Sequence, residues 1–216
     1  GGYDQEGPLK LKILPLNGTL IRNLLVQDME NDGDWSIAQS IQNGDLVFGD
    51  RDTVYTTLPA QLAKAEYIRT ACDSKNSTSD LAVFTAGADL TVYVALDSRV
   101  TALPSWMQDW TATGLTAEND KGVQFLLYSR QAAKGEEITL GSNGQTSGCV
   151  GYTVFAVGAS RLAGDVNGDG AFSIADAVSL QKWLCGGDPL SDWQAGDLNG
   201  DGRIDSVDLC MMKRML

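Results

Sequence analysis

From Leu46 to Val157 the apolar positions fall in short runs rich in β-branched and aromatic residues. The runs "LVF", "TVYTTL", "EYIRT", "LAVFT", "LTVYVAL", "VQFLLY", "ITL" and "YTVFAV" are separated by Gly-Asp, Ala-Gly-Ala-Asp and Ser-Asn-Gly. Runs of this length bounded by turn residues predict about eight strands. In "DLTVYVALD", Leu90, Val92, Val94 and Leu96 alternate with Thr91, Tyr93 and Ala95, the period of a half-buried strand in an antiparallel sheet. Between 12 and 43 the pattern weakens: "IRNLLV" allows a strand, and "DWSIAQSIQNG" suits a short helix or a turn-rich segment. The fold class expected for residues 12–158 is an all-β antiparallel sandwich. Gly158-Ala159-Ser160 opens a linker, 159–163, and a second module follows at 164–216.

Past the linker the apolar period becomes helical. Ile174, Ala177, Val178 and Leu184 share a helix face that stops at Gly186-Gly187, and Ser206, Leu209, Cys210 and Leu216 are their counterparts in a second helix. Before each helix lies an acid-rich stretch, "GDVNGDGAFSIAD" at 164–176 and "GDLNGDGRIDSVD" at 196–208. The two align without a gap: Asp165, Asn167, Asp169, Gly170 and Asp176 fall on Asp197, Asn199, Asp201, Gly202 and Asp208. Calcium takes hard oxygen ligands from places 1, 3, 5, 7, 9 and 12 of a twelve-residue loop, with glycine at place 6 for the turn. The first loop then offers Asp165, Asn167, Asp169, the carbonyl of Ala171, Ser173 directly or through water, and Asp176. The second offers Asp197, Asn199, Asp201, the carbonyl of Arg203, Asp205 and Asp208. Asp, Asn and Gly also favour plain solvated turns, but two copies in register, each leading into a helical pattern, favour two calcium sites. Gly164 and Gly196 stand directly before the first ligands, so the entering helix of a standard calcium-binding hand is expected to be missing or very short.

A duplicated loop-helix with Asp at place 12 closely resembles a dockerin, and "ADAVSLQKWL" and "VDLCMMKRML" look most like dockerins of rumen-type fibre degraders. The resemblance implies a calcium-folded module that binds a cohesin on a scaffold protein, in a secreted, cell-surface cellulosome. It also implies cohesin contacts at Ile174 and Ala175 in the first repeat and at Ser206 and Val207 in the second, with Lys182, Lys213 and Arg214 further along. A core position for the apolar Ile174 stays open.

In the first module, "AEYIRTACDSKNS", "VYVALDSRVTALPSWMQDWTATGL" and "FLLYSRQAAKGEEITLGSNG" resemble a non-catalytic module found beside catalytic domains in bacterial pectate and rhamnogalacturonan lyases. That resemblance implies an accessory or carbohydrate-binding role over roughly 18–157 and carries no ligand residues with it. A sugar-binding face needs exposed aromatics to stack on pyranose rings and polar groups for the hydroxyls. Trp106 and Trp110 in "PSWMQDW", near Arg99, are the candidates; core positions for both tryptophans are the alternative. Acids outnumber bases in residues 1–163, which disfavours a polygalacturonate anion unless a local basic cluster of Arg69, Lys64 or Arg99 forms.

Composition narrows the chemistry. The net charge of −12 argues against nucleic acid or an anionic membrane as partner. No run of about 18 apolar residues is present to insert in a bilayer. The absence of histidine removes Ser-His-Asp and Cys-His catalysis and histidine-bound zinc, while paired carboxylates or a Lys or Arg base remain open. Cys72, Cys149, Cys185 and Cys210 lack zinc spacing; free packed thiols are favoured over pairing within each half. Residues 1–11 read as a linker remnant in the tail of a longer protein. The reading is a non-catalytic component that joins a cohesin through calcium and contacts plant cell-wall polysaccharide, with a pectin context. Two rivals remain, a structural spacer beside an upstream lyase and a small polysaccharide-cleaving enzyme.

Overall fold

The computed structural model describes residues 14–159 and 162–216. The expected linker remnant at 1–11, the sandwich start at 12–13 and residues 160–161 of the linker lie outside the described residues. The chain divides into two units, Gly1–Ala159 and Ser160–Leu216.

The first unit carries ten strands among its described residues: β1 (Ile21–Val26), β2 (Ser36–Ala38), β3 (Tyr55–Thr57), β4 (Glu66–Arg69), β5 (Ala82–Ala86), β6 (Leu90–Asp97), β7 (Thr111–Asn119), β8 (Gln124–Ala132), β9 (Glu137–Leu140) and β10 (Thr153–Gly158). They form a three-stranded sheet in the order β1-β5-β9 and a seven-stranded sheet in the order β2-β4-β10-β6-β8-β7-β3. All named pairings are antiparallel. The all-β sandwich expected from the alternating pattern is therefore present.

Two hydrophobic clusters explain why β6 and β10 are so apolar. Ile21, Leu24, Phe84, Ile138 and Leu140 of the small sheet meet Ile68, Val92, Val94 and Val154 of the large one. On the opposite face, Tyr55, Tyr67, Ala95, Phe125 and Phe155 are covered by Ile41, Val47, Phe48 and Leu62. Ala95, expected on the open face of a half-buried strand, is fully buried because residues 41–62 fold over that part of the sheet. Elsewhere the sequence pattern missed strands. Residues 36–38 pair with β4 although a helix or turn was expected there. "TATGLTAEN" forms β7, whose Gly114 and mostly exposed side chains hide the strand period, and its register shifts between Ala112 and Thr116. "LVF" contributes only an isolated bridge, Leu46 to Val54.

One buried carboxylate of β4 in the large sheet ties it to β1 and the chain before it. Glu66, 1% exposed, accepts the main-chain N–H groups of Thr19 at 2.8 Å, Leu20 at 3.1 Å and Ile21 at 2.8 Å, and the side-chain amide of Gln39 at 2.7 Å. Gly18 is required for this approach, since a Cβ there would stand 1.9 Å from Glu66 Oε1.

The second unit has three helices among its described residues, α1 (Ile174–Leu184), α2 (Trp193–Gly196) and α3 (Ser206–Met215). α1 ends where Gly186-Gly187 was expected to stop it, and the Gly187 N–H returns to the Lys182 carbonyl at 2.9 Å. Val166, Ala177, Leu180 and Met212 form the buried centre, with Phe172, Trp183, Leu198 and Ile204 packed around it. So small an apolar core gives little stability alone, and modules of this size often use metal to fold.

Candidate functional site

The two acid-rich loops have matching hydrogen bonds. Asp165 Oδ1 accepts from the main-chain N–H of Gly168 at 2.8 Å and Asp169 at 3.1 Å, and its Oδ2 from Gly170 at 2.9 Å. In the second loop Asp197 accepts from Gly200 at 2.9 Å, Asp201 at 3.1 Å and Gly202 at 2.8 Å. Asn167 Oδ1 takes the Asp169 N–H at 2.9 Å, and Asn199 Oδ1 takes that of Asp201 at 3.0 Å. The loop can wrap the first aspartate because Gly170 (φ 85°) and Gly202 (φ 80°) adopt a left-handed backbone that a side chain would resist.

Place 12 does two jobs. Asp176, fully buried, accepts the Asn167 N–H at 3.1 Å and the Ser173 N–H at 2.9 Å. Asp208, equally buried, accepts Leu198 at 3.0 Å and Asp205 at 2.9 Å. Each closes a capping box at the start of its helix, with Ser173 and Asp205 as the N-caps. The sequence signal for this role, Ser or Asp three residues before an acid, lies in "SIAD" and "DSVD" and was read only as ligand spacing. For the second loop the entering helix is short, as expected: α2 is a single turn before Asp197, capped by Asp192, which accepts from Gln194 and Ala195.

These donors are hard oxygens from carboxylate, amide, hydroxyl and carbonyl groups, and they suit a calcium ion. Among the described residues no group of three or more acid, thiol or imidazole side chains is assembled that could hold a metal ion.

The residues expected to meet a cohesin are on the surface. Ile174 is 72% exposed and Val207 50%. Ala175, Lys182, Ser206, Lys213 and Arg214 are exposed too, Lys213 donating to Gln181 at 3.3 Å. A core position for Ile174 is excluded by its exposure. Cys72 and Cys149 are buried free thiols, their pKa raised by burial. Cys185 and Cys210 are free but exposed, against the expected packing, because they lie at the end of α1 and on the outer side of α3.

The three carbohydrate candidates of the sandwich have structural partners. Trp110 is 7% exposed and belongs to the core, contrary to an exposed platform. Trp106 is half-buried, meets Trp110 edge-on at 5.9 Å and donates its indole N–H to the Ser142 carbonyl at 2.8 Å. Arg99 forms a forked pair with Asp97, including Nη2 to Oδ2 at 2.6 Å. The basic cluster considered at Lys64 and Arg69 places Arg69 over the Tyr67 ring at 5.8 Å.

Comparison with known proteins agrees with the two-unit layout. Residues 163–216 match the dockerin type I domain. Over 127 residues, 57% of this chain, the sequence is 29% identical to a β-glucuronidase of Formosa agariphila, covering 13% of that protein. The structure of a β-glucuronidase from glycoside hydrolase family 2 aligns with 67% of this chain and 15% of its own, at a TM-score of 0.58 and 26% identity. The chain therefore spans only a small part of these relatives. The likeness of the first unit is to part of β-glucuronidases and not specifically to pectate lyase modules. The C-terminal module is matched as a dockerin type I domain, a class that binds calcium and pairs with cohesins, and it follows a β-sandwich similar to part of family 2 β-glucuronidases.

Proposed function

We propose that this chain moors a carbohydrate-degrading enzyme to a cohesin-bearing scaffold and helps to hold plant cell-wall polysaccharide, pectin among the candidates, beside it. The observation that carries the reading is the repeated loop-helix with its matching hydrogen bonds and exposed Ile174 and Val207. Two calcium ions, one per loop, are held by Asp165, Asn167, Asp169, the Ala171 carbonyl, Ser173 and Asp176, and by Asp197, Asn199, Asp201, the Arg203 carbonyl, Asp205 and Asp208. Calcium supplies the positive charge that lets these carboxylates close together, and the N-capped helices α1 and α3 then present Ile174, Ala175, Lys182, Ser206, Val207, Lys213 and Arg214 to the cohesin. Tethering raises effective concentration at an insoluble substrate and adds no chemistry. The protein acts outside the cell, on a cell-surface cellulosome.

The non-catalytic reading draws on the dockerin match of the second unit and on the small share, 15%, of the family 2 β-glucuronidase that the chain spans; the missing histidine removes acyl-transfer and histidine proton shuttling but leaves carboxylate-pair glycoside chemistry open. A spacer role for the sandwich is favoured by one set of contacts: Trp110, Trp106 and Arg99 all serve the fold. Co-precipitation of the full chain with a panel of type I cohesins, with calcium and with chelator, tests the mooring role; capture by none of them in calcium would remove it.

A further inference from the structure

The first unit has a polar trough that neither the fold nor the dockerin accounts for. Two hollows, of about 590 and 430 Å³, share Thr78 and Ser79 as their common wall. The larger is lined by Gln27, Asn31 and Asn76 among others, and the smaller by Ser105, Ser142 and the Trp106 indole. Each volume falls in the range of small-molecule sites, roughly 300–1,000 Å³. Amides, hydroxyls and carboxylates converging beside one aromatic wall match the surface of a sugar, which presents hydroxyls around its rim and C–H groups on its ring faces.

Charge selects among sugars. Asp28, Glu30, Asp73 and Asp80 line the two hollows, and among the described residues no Lys or Arg does. Asp73 is paired with Arg51, at 2.5 Å, and Lys75, at 3.8 Å; Asp28 accepts from the Asn31 amide at 2.8 Å. A uronate carboxylate brought here meets the like charge of Glu30 and Asp80, unpaired among the described residues, and cations already engaged by Asp73, whereas a neutral hydroxyl donates to the carboxylates in charge-assisted hydrogen bonds.

We infer that these two adjoining hollows, which share Thr78 and Ser79 and of which the smaller is lined by Trp106, form a binding site for a neutral glycan that excludes polyuronates. The inference rests on the reading of the sandwich as a polysaccharide-holding module and narrows its ligand class. Thr78 and Ser79 are exposed, so they can be changed without disturbing the core.

The test is affinity electrophoresis of the full chain through gels containing xyloglucan, mixed-linkage glucan, galactan or homogalacturonan. The unaltered chain and the Ser79→Arg and Asn76→Ala/Thr78→Ala variants are run side by side, after calorimetry has matched their melting. Retardation by a neutral polymer is expected, lost in Ser79→Arg and at least tenfold weaker in the double variant, with homogalacturonan passing freely. No retardation by any neutral polymer, retardation that survives Ser79→Arg, or preference for homogalacturonan overturns the inference. Cohesin capture of the same samples reports on the mooring role separately, since it depends on the other unit.

Discussion

Asp165 takes the main-chain N–H of Gly170 at 2.9 Å through Oδ2, and its repeat partner Asp197 takes that of Gly202 at 2.8 Å in the same way. The first aspartate is thus the hub of each loop, while the last, Asp176 or Asp208, locks loop to helix. The helices are wedded to loops crowded with carboxylates, and the small cluster around Leu180 and Met212 is their main apolar support.

Removing calcium should therefore melt the second unit while leaving the sandwich folded, because neutralising these carboxylates is coupled to folding. Circular dichroism in excess chelator should lose its helical component and keep its β component. Helical signal that persists unchanged would show that the apolar cluster suffices.

The loops should differ in affinity. Asp197, Asp201, Asp205 and Asp208 give the second loop one more carboxylate than Asp165, Asp169 and Asp176 give the first, with Ser173 standing where Asp205 does. Affinity rises with ligand charge in such loops, so calorimetry should lose the tighter site in Asp197→Ala and the weaker one in Asp165→Ala. The reverse assignment would refute this ordering.

Glu66 should be among the most sensitive positions of the sandwich. Glu66→Ala strips the acceptor from three main-chain N–H groups and the Gln39 amide in a buried place, a loss of about 3 kcal/mol or more. Denaturant unfolding of the variant measures it; a change below about 1 kcal/mol would mean that water replaces the carboxylate.

Asp97 should give the sandwich an acid-sensitive component. Burial pushes its pKa upward, but hydrogen bonds from the Arg99 side chain and from the Val150 and Arg99 N–H groups outweigh it and hold the pKa below the ordinary 3.8. A carboxylate with a depressed folded pKa stabilises fully above its unfolded value and loses that contribution as pH falls through the folded one. The melting difference between the protein and Asp97→Asn should be largest near neutral pH and shrink below about pH 3.8. A difference independent of pH would assign the effect to packing.

Much of this was legible because its physics is local. The repeated loops at 165–176 and 197–208, the glycines at 170 and 202 and the stop at Gly186-Gly187 depend on neighbours in sequence. The β-runs were equally plain where one face was buried, as at Leu90–Leu96. What escaped depends on distant chain. β7 has few buried side chains and owes its place to pairing with β8 and β3. Ala95 is covered by a segment far away in sequence, and Trp110, a sugar-stacking candidate from its local sequence, is drawn into the core. The hollows at Thr78 and Ser79 gather residues from four separate stretches; Trp106 was a candidate from the sequence, and the rest are brought beside it by the fold.

The most direct measurement is titration calorimetry of the full chain against a type I cohesin, in calcium and then in chelator. The account predicts tight binding in calcium, none in chelator, and a loss of at least tenfold when Ile174→Asp and Val207→Asp are combined. Binding that is indifferent to chelator, or that survives the double substitution, would contradict a calcium-shaped docking surface on these two helices.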